Sequence, residues 1–126
     1  MPATSEVIFT ATHTDAKPPL YNGNGIWTLY SPLSPDVATG SNSNALNFHI
    51  DVTVPTGYSF MILPYGNDDL AGAPHVYFSG AGYNDTTQSL YINMINITGS
   101  NQTPTAETEV AYLIVIPDFD YKISIT

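Results

Sequence analysis

The chain has no arginine and no cysteine, and Lys17 and Lys122 are its only lysines, set against eleven acidic residues for a net charge of −9. Each scarcity excludes something. Without thiols there are no disulfides and no thiolate metal sites. Without guanidinium groups, phosphate must be held by backbone donors or by two lysines. The acidic balance also gives little long-range attraction for nucleotides, nucleic acid or anionic lipid, so neither a nucleic-acid nor a membrane partner is expected. Charged residues make up only 10% of the chain, against about a quarter in ordinary domains. The surface must therefore be built from Asn, Thr, Ser, Tyr and Gly. No apolar stretch approaches the length of a membrane-spanning helix. The opening residues Met1 to Glu6 lack a basic region followed by an apolar run, so no secretory signal is expected there.

What is present is a succession of short apolar runs between turn signals. At 126 residues, with 43% hydrophobic residues, ten prolines and nine glycines, the chain can form one core from many short elements. Strands are predicted over Val7–Thr10, Ile26–Tyr30, Leu46–Val54, Tyr58–Leu63, Val76–Phe78, Leu90–Ile95, Val110–Ile116 and Tyr121–Ile125. The clearest is the third, in which Leu46, Phe48, Ile50, Val52 and Val54 alternate with polar residues. Residues 13–25, with Pro18 and Pro19, read as a loop or arm. Residues 1–24 are accordingly expected to form an N-terminal arm that contacts a neighbour, and residues 25–126 a single β-barrel domain. No window carries a helical period over three turns. Short strands at this spacing predict an all-β sandwich or small barrel, and a jelly-roll has the same rhythm.

The order of several segments resembles the trimeric dUTPase family. Ile50 to Tyr58 resembles that family's strand and Pro-x-Gly-Tyr turn, Leu90 to Asn96 a later strand ending in Asn, Val110 to Val115 its Ile/Val-Ala-Gln-Leu-Ile-Ile strand, and Leu29-Tyr30-Ser31 a Leu-Tyr-Ser segment after its first motif. The resemblance implies a dUTPase-like β-barrel and a homotrimer. It also implies that the catalytic positions are gone. The first motif's acid falls on Thr28. The second motif, Pro-Arg-Ser-Gly, falls on Pro64-Tyr65-Gly66-Asn67. The third places its Asp on Tyr83 and its base-stacking Tyr on Thr86, with Asp85 nearby only after a register shift. The fourth replaces its Arg by Glu109 and its Gln by Tyr112. The Arg-bearing, glycine-rich fifth motif has no counterpart among these residues. The chain also resembles adenoviral early-region proteins that share the family's look, lack its catalytic motifs and bind host proteins. Their Pro-Thr-Gly-Tyr turn is similar to Pro55-Thr56-Gly57-Tyr58, and their PDZ-binding tail is only partly matched by Ser124-Ile125-Thr126.

No catalytic, cofactor-binding or metal-binding residue is expected. His13, His49 and His75 lie in separate segments without ligand spacing, and Asp68-Asp69 and Asn84-Asp85 do not follow a calcium-loop pattern. No Gly-x-Ser-x-Gly elbow occurs. Three sequons, at Asn84, Asn96 and Asn101, are read as chance in an Asn/Thr-rich chain. The nine tyrosines and one tryptophan offer either packing at strand edges and subunit interfaces or a binding platform, with Trp27, Tyr30, Tyr65, Tyr83 and Tyr112 as the candidate surface. The function expected from these observations is a non-enzymatic viral structural protein in the virion, a trimeric capsid decoration (cement) protein or a fibre or spike head. Its partners would be capsid or fibre proteins, a host receptor or a glycan. The alternatives are a virus-encoded, dUTPase-derived module that binds host proteins in the host cytoplasm, a carbohydrate-binding head, and an active dUTPase.

Overall fold

In the computed structural model the described residues are 6–37, 39, 43–64, 76–79, 82–83, 87–96, 99–119 and 122–126. They contain no helix. The strands are β1 (Ile8–Ala11), β2 (Leu20–Gly23), β3 (Ile26–Tyr30), β4 (Ser43–Thr53), β5 (Tyr58–Pro64), β6 (Val76–Ser79), β7 (Gly82–Tyr83), β8 (Gln88–Asn96) and β9 (Glu109–Pro117). They form a four-stranded sheet in the order β1-β4-β8-β6 and a five-stranded sheet in the order β2-β3-β9-β5-β7, with every pairing antiparallel. The predicted all-β class holds.

The alternation in β4 decides which way that strand faces. Leu46, Phe48, Ile50 and Val52, with Val54 just beyond the strand, are buried at 3% exposure or less. They meet Leu90, Ile92 and Met94 of the same sheet and Leu29, Phe60, Ile62, Val110, Ala111 and Leu113 of the other in one core. Each such side chain removed from water contributes about 1.5–3 kcal/mol. Phe9 and Trp27 close one side of the core, their rings edge-to-face at 5.5 Å across the two sheets. The alternation survives an irregularity: between Asn47 and Asp51 the register with β8 shifts, and His49 sits at a φ of 58°. The Asn47 side-chain oxygen accepts the His49 backbone N–H at 2.8 Å, which satisfies a donor taken out of the ladder.

Two elements lie where the sequence reads as loop. Leu20–Gly23 pairs with β3, and Gly82–Tyr83 pairs with Phe60 and Met61 of β5. The β2–β3 turn uses three successive left-handed residues, Gly23, Asn24 and Gly25, residue types that tolerate positive φ. Gly25 then docks on β9: its carbonyl accepts the Val115 N–H at 2.9 Å, and a Cβ there would stand 3.0 Å from the Val115 carbonyl oxygen. Parts of the expected arm are thus built into both sheets, β1 on β4 and β2 on β3. At the other end a closing strand is expected over Tyr121–Ile125; Tyr121 lies outside the described residues, residues 122–126 belong to no strand, and Ile123 and Ile125 are 89% and 92% exposed. The Pro-x-Gly-Tyr segment is a turn with Gly57 at positive φ and Tyr58 N–H bonded to the Pro55 carbonyl, as a type II turn requires. Asp118 latches it from beyond β9 by donating its N–H to the Gly57 carbonyl and accepting the Ser59 hydroxyl.

Candidate functional site

Residues opposite each other in an antiparallel pair share a face. The register across β3, β9 and β5 sets Thr28 beside Tyr112, Tyr112 beside Leu63, and Ile26 beside Ile114. The intervening residues Leu29, Ala111, Leu113 and Ile62 are buried in the core, so the first set stands on the opposite, outward face. There Asn22, Ile26, Thr28, Leu63, Glu109, Tyr112 and Ile114 line an open hollow of about 570 Å³. Its floor is ordered by polar contact, since the Asn22 amide donates to the Thr28 hydroxyl at 2.7 Å. Thr28 is only 4% exposed, so its hydroxyl is a satisfied part of the floor. Glu109 is exposed at the start of β9 and faces Tyr30 across the β3 pairing. Lys17 lies over the Tyr30 ring, with Nζ 4.8 Å from its centre.

The start of β9 is held by a buried serine. Ser31 is fully buried. Its hydroxyl donates to the Thr105 carbonyl at 2.5 Å and accepts the Thr108 N–H at 3.1 Å, while its own N–H donates to the Thr108 carbonyl at 2.8 Å. This gives the Leu-Tyr-Ser segment a physical role: it ties the exit of β3 to the residue before Glu109.

The structure brings together three positions the resemblance singles out, Thr28, Glu109 and Tyr112, although they come from opposite ends of the sequence. Of the five candidate aromatic residues, Tyr112 lines the hollow and Tyr30 stands beside it. Trp27 does not: it packs against the core and between the Phe9 and Tyr21 rings, at 5.5 and 4.6 Å. Tyr65, with Gly66, Asn67 and Thr86, lies outside the described residues, as do the carboxylates Asp68, Asp69 and Asp85. Tyr83 is placed by its backbone in β7. Asn22, Ile26, Leu63 and Ile114 were not singled out by sequence. Ile114 is concealed in a nearly continuous apolar run, and Asn22 in a segment read as loop.

Chemically the hollow offers apolar walls, one hydroxyl floor, one phenol and one carboxylate. Among the described residues no imidazole and no ammonium group lines it. Among the described residues no three His, Asp or Glu side chains converge on a point that could hold a metal ion. His13 and His49 do meet, their rings 5.1 Å apart and tilted, and Asp15 lies 3.7 Å from the His13 Nδ1. That pair anchors the loop after β1 to β4, where Thr12 N–H also bonds the His49 carbonyl. Asn96, at one of the sequons, is buried and donates its amide to the Ser100 carbonyl at 2.8 Å.

No family model matches the sequence, and no curated protein matches it. Solved structures do match the fold. A substituted form of the dUTPase of Staphylococcus bacteriophage 80alpha, bound to dUpNHpp, superposes with a TM-score of 0.73 at 13% identity, covering 98% of this chain and 97% of that one. The dUTPase of phage phi11 of S. aureus gives a TM-score of 0.71 at 14% identity, with 96% of each chain covered. Another substituted form of the 80alpha enzyme gives a TM-score of 0.74 at 12% identity, with 98% and 97% covered. The fold is therefore dUTPase-like over nearly the whole chain. The expectation of a capsid decoration protein or of a fibre or spike head is corrected by these neighbours, which are phage dUTPases. The composition that suggested a virion surface, few charges and abundant Asn, Thr and Tyr, describes a neutral polar exterior and does not distinguish between assemblies that display one.

Proposed function

We propose that this chain is a dUTPase-derived module that does not hydrolyse nucleotide and acts by binding another protein. The observation that supports this reading is the makeup of the hollow: Thr28, Glu109 and Tyr112 share it with no cationic side chain among the described residues. A triphosphate brought there meets a carboxylate where the resemblance calls for a guanidinium. Two like charges 4 Å apart repel by about 1 kcal/mol in water and about 4 kcal/mol near a protein surface. Thr28, already bonded to Asn22, has no carboxylate with which to activate a water. The phage 80alpha dUTPases are described as controlling the transfer of virulence genes by a proto-oncogenic G protein-like mechanism, a regulatory use of the same fold that supports a binding role here.

The test is direct. Incubation with dUTP and Mg²⁺ should release no pyrophosphate, and dUpNHpp should not bind. Release above a buffer control, or the analogue ordered in a crystal, would refute the reading. The resemblance further implies a homotrimer, and the exposure of Phe119, Ile123 and Ile125 at 63%, 89% and 92% supports their burial in an assembly. Light scattering should then give three times the 13.6 kDa chain mass.

A further inference from the structure

The hollow is acidic at one end and apolar along the rest, and that asymmetry specifies a ligand. Glu109 stands at the start of β9, and Ile114 lies five residues on, roughly 16 Å along an extended strand. Between them come Tyr112 and, from the flanking strands, Ile26 and Leu63. The apolar character continues beyond the hollow. Met61 faces Ile114, Ile116 faces Ser59, and Leu20 faces Thr28 in register. Leu20, Met61, Leu63 and Ile116 are 56%, 40%, 52% and 39% exposed. A sheet face with this many solvent-facing aliphatic groups marks a contact surface.

We propose that this face receives an extended segment of a partner protein, about six residues long, with a Lys or Arg at the Glu109 end and aliphatic side chains at alternate positions over Leu63 and Ile114. The proposal rests on the protein-binding reading above and adds the chemistry of the partner. Charge complementarity selects the cation. The chain carries −9 overall, and Glu109 is the carboxylate among the described residues that line the hollow. Alternation selects the aliphatics, because an extended chain presents every second side chain to the surface it lies on. An acidic segment of the same shape would be repelled by Glu109.

Fluorescence anisotropy with two labelled peptides tests this on the full chain. One is acetyl-Arg-Ser-Leu-Ser-Ile-Ser-amide, whose Arg and aliphatic side chains share one side of an extended chain, and the other carries Glu in place of its Arg. The Arg peptide should bind at least ten-fold more tightly at low salt, and the difference should shrink as salt screens the pair. E109K should reverse the preference, and Leu63→Ser, at a half-exposed position, should weaken binding ten-fold or more while the circular dichroism spectrum is unchanged. Equal binding of both peptides, binding of neither, or an unaltered preference in E109K would overturn the proposal. So would a fall in oligomeric mass in E109K or L63S, which would assign the face to a second copy of the chain. Pyrophosphate release from dUTP by the same preparation is a separate readout. Its presence refutes the non-hydrolysing reading, whereas its absence together with peptides that do not discriminate refutes only this inference.

Discussion

Replacing Ser31 by alanine removes one oxygen from a fully buried position and should be far more costly than its size suggests. The hydroxyl is donor to the Thr105 carbonyl and acceptor for the Thr108 N–H. The Thr105 carbonyl keeps a second donor, the Thr108 hydroxyl at 2.8 Å. The Thr108 N–H is left without its partner. A hydrogen bond contributes a net of about 1 kcal/mol, and a stranded buried donor costs a further 1–3 kcal/mol or so. Ser31→Ala should therefore destabilise the domain by about 2–4 kcal/mol, which lowers the melting temperature by roughly 10–15 °C at this chain length. A surface hydroxyl pair supplies the control. Thr53 and Thr87 are bonded at 2.5 Å, but in contact with solvent, so Thr87→Ala should cost less than about 0.5 kcal/mol because water replaces the lost partner. Urea unfolding of the two variants and the wild type measures both values. Equal losses in the two variants, or less than 0.5 kcal/mol for Ser31→Ala, would show that burial does not set the cost here. Because Glu109 directly follows the tied residue Thr108, Ser31→Ala should also weaken discrimination between the Arg and Glu peptides under conditions where the variant remains folded.

Three further outcomes follow from the packing. Phe48→Ala empties a site in the centre of the core and should cost about 3–5 kcal/mol in chemical denaturation. Gly25→Ala forces a side chain into positive φ and to 3.0 Å from the Val115 carbonyl oxygen; a loss of about 1–3 kcal/mol is expected, whereas Gly23→Ala, with open space around its Cβ position, should lose less. Trp27, the single tryptophan, packs between Phe9 and Tyr21, so its emission should shift to longer wavelength on unfolding together with the circular dichroism transition, and an early shift would indicate that β2 and β3 detach before the core melts.

Much of the sandwich was legible because period-two patterning is a local property. Leu46 to Val54 announced their orientation before any partner strand was known, and the structure adds only the irregularity at His49. Where patterning was absent the reading stopped. Leu20–Gly23 is short, follows two prolines and carries no alternation, so its strand character depends on pairing with β3. Conversely Ile123 and Ile125 alternate as a strand should, yet residues 122–126 form no strand pairing among the described residues, because alternation permits a strand without supplying its neighbour. The sequence groups Trp27 with Tyr30 as a surface aromatic, but residues three apart in a strand face opposite sides, and the side facing Phe9 is the interior.

The sequence by itself determined the all-β class, the alternation of Leu46 to Val54 and the lack of any guanidinium for phosphate, since these follow from residue type and local period. Only the tertiary structure decided that Thr28, Leu63, Glu109 and Tyr112 share one hollow. That depends on the hydrogen-bond register between β3, β9 and β5, which joins segments remote along the chain, and a shift of one residue in any pairing would turn those side chains to the other face.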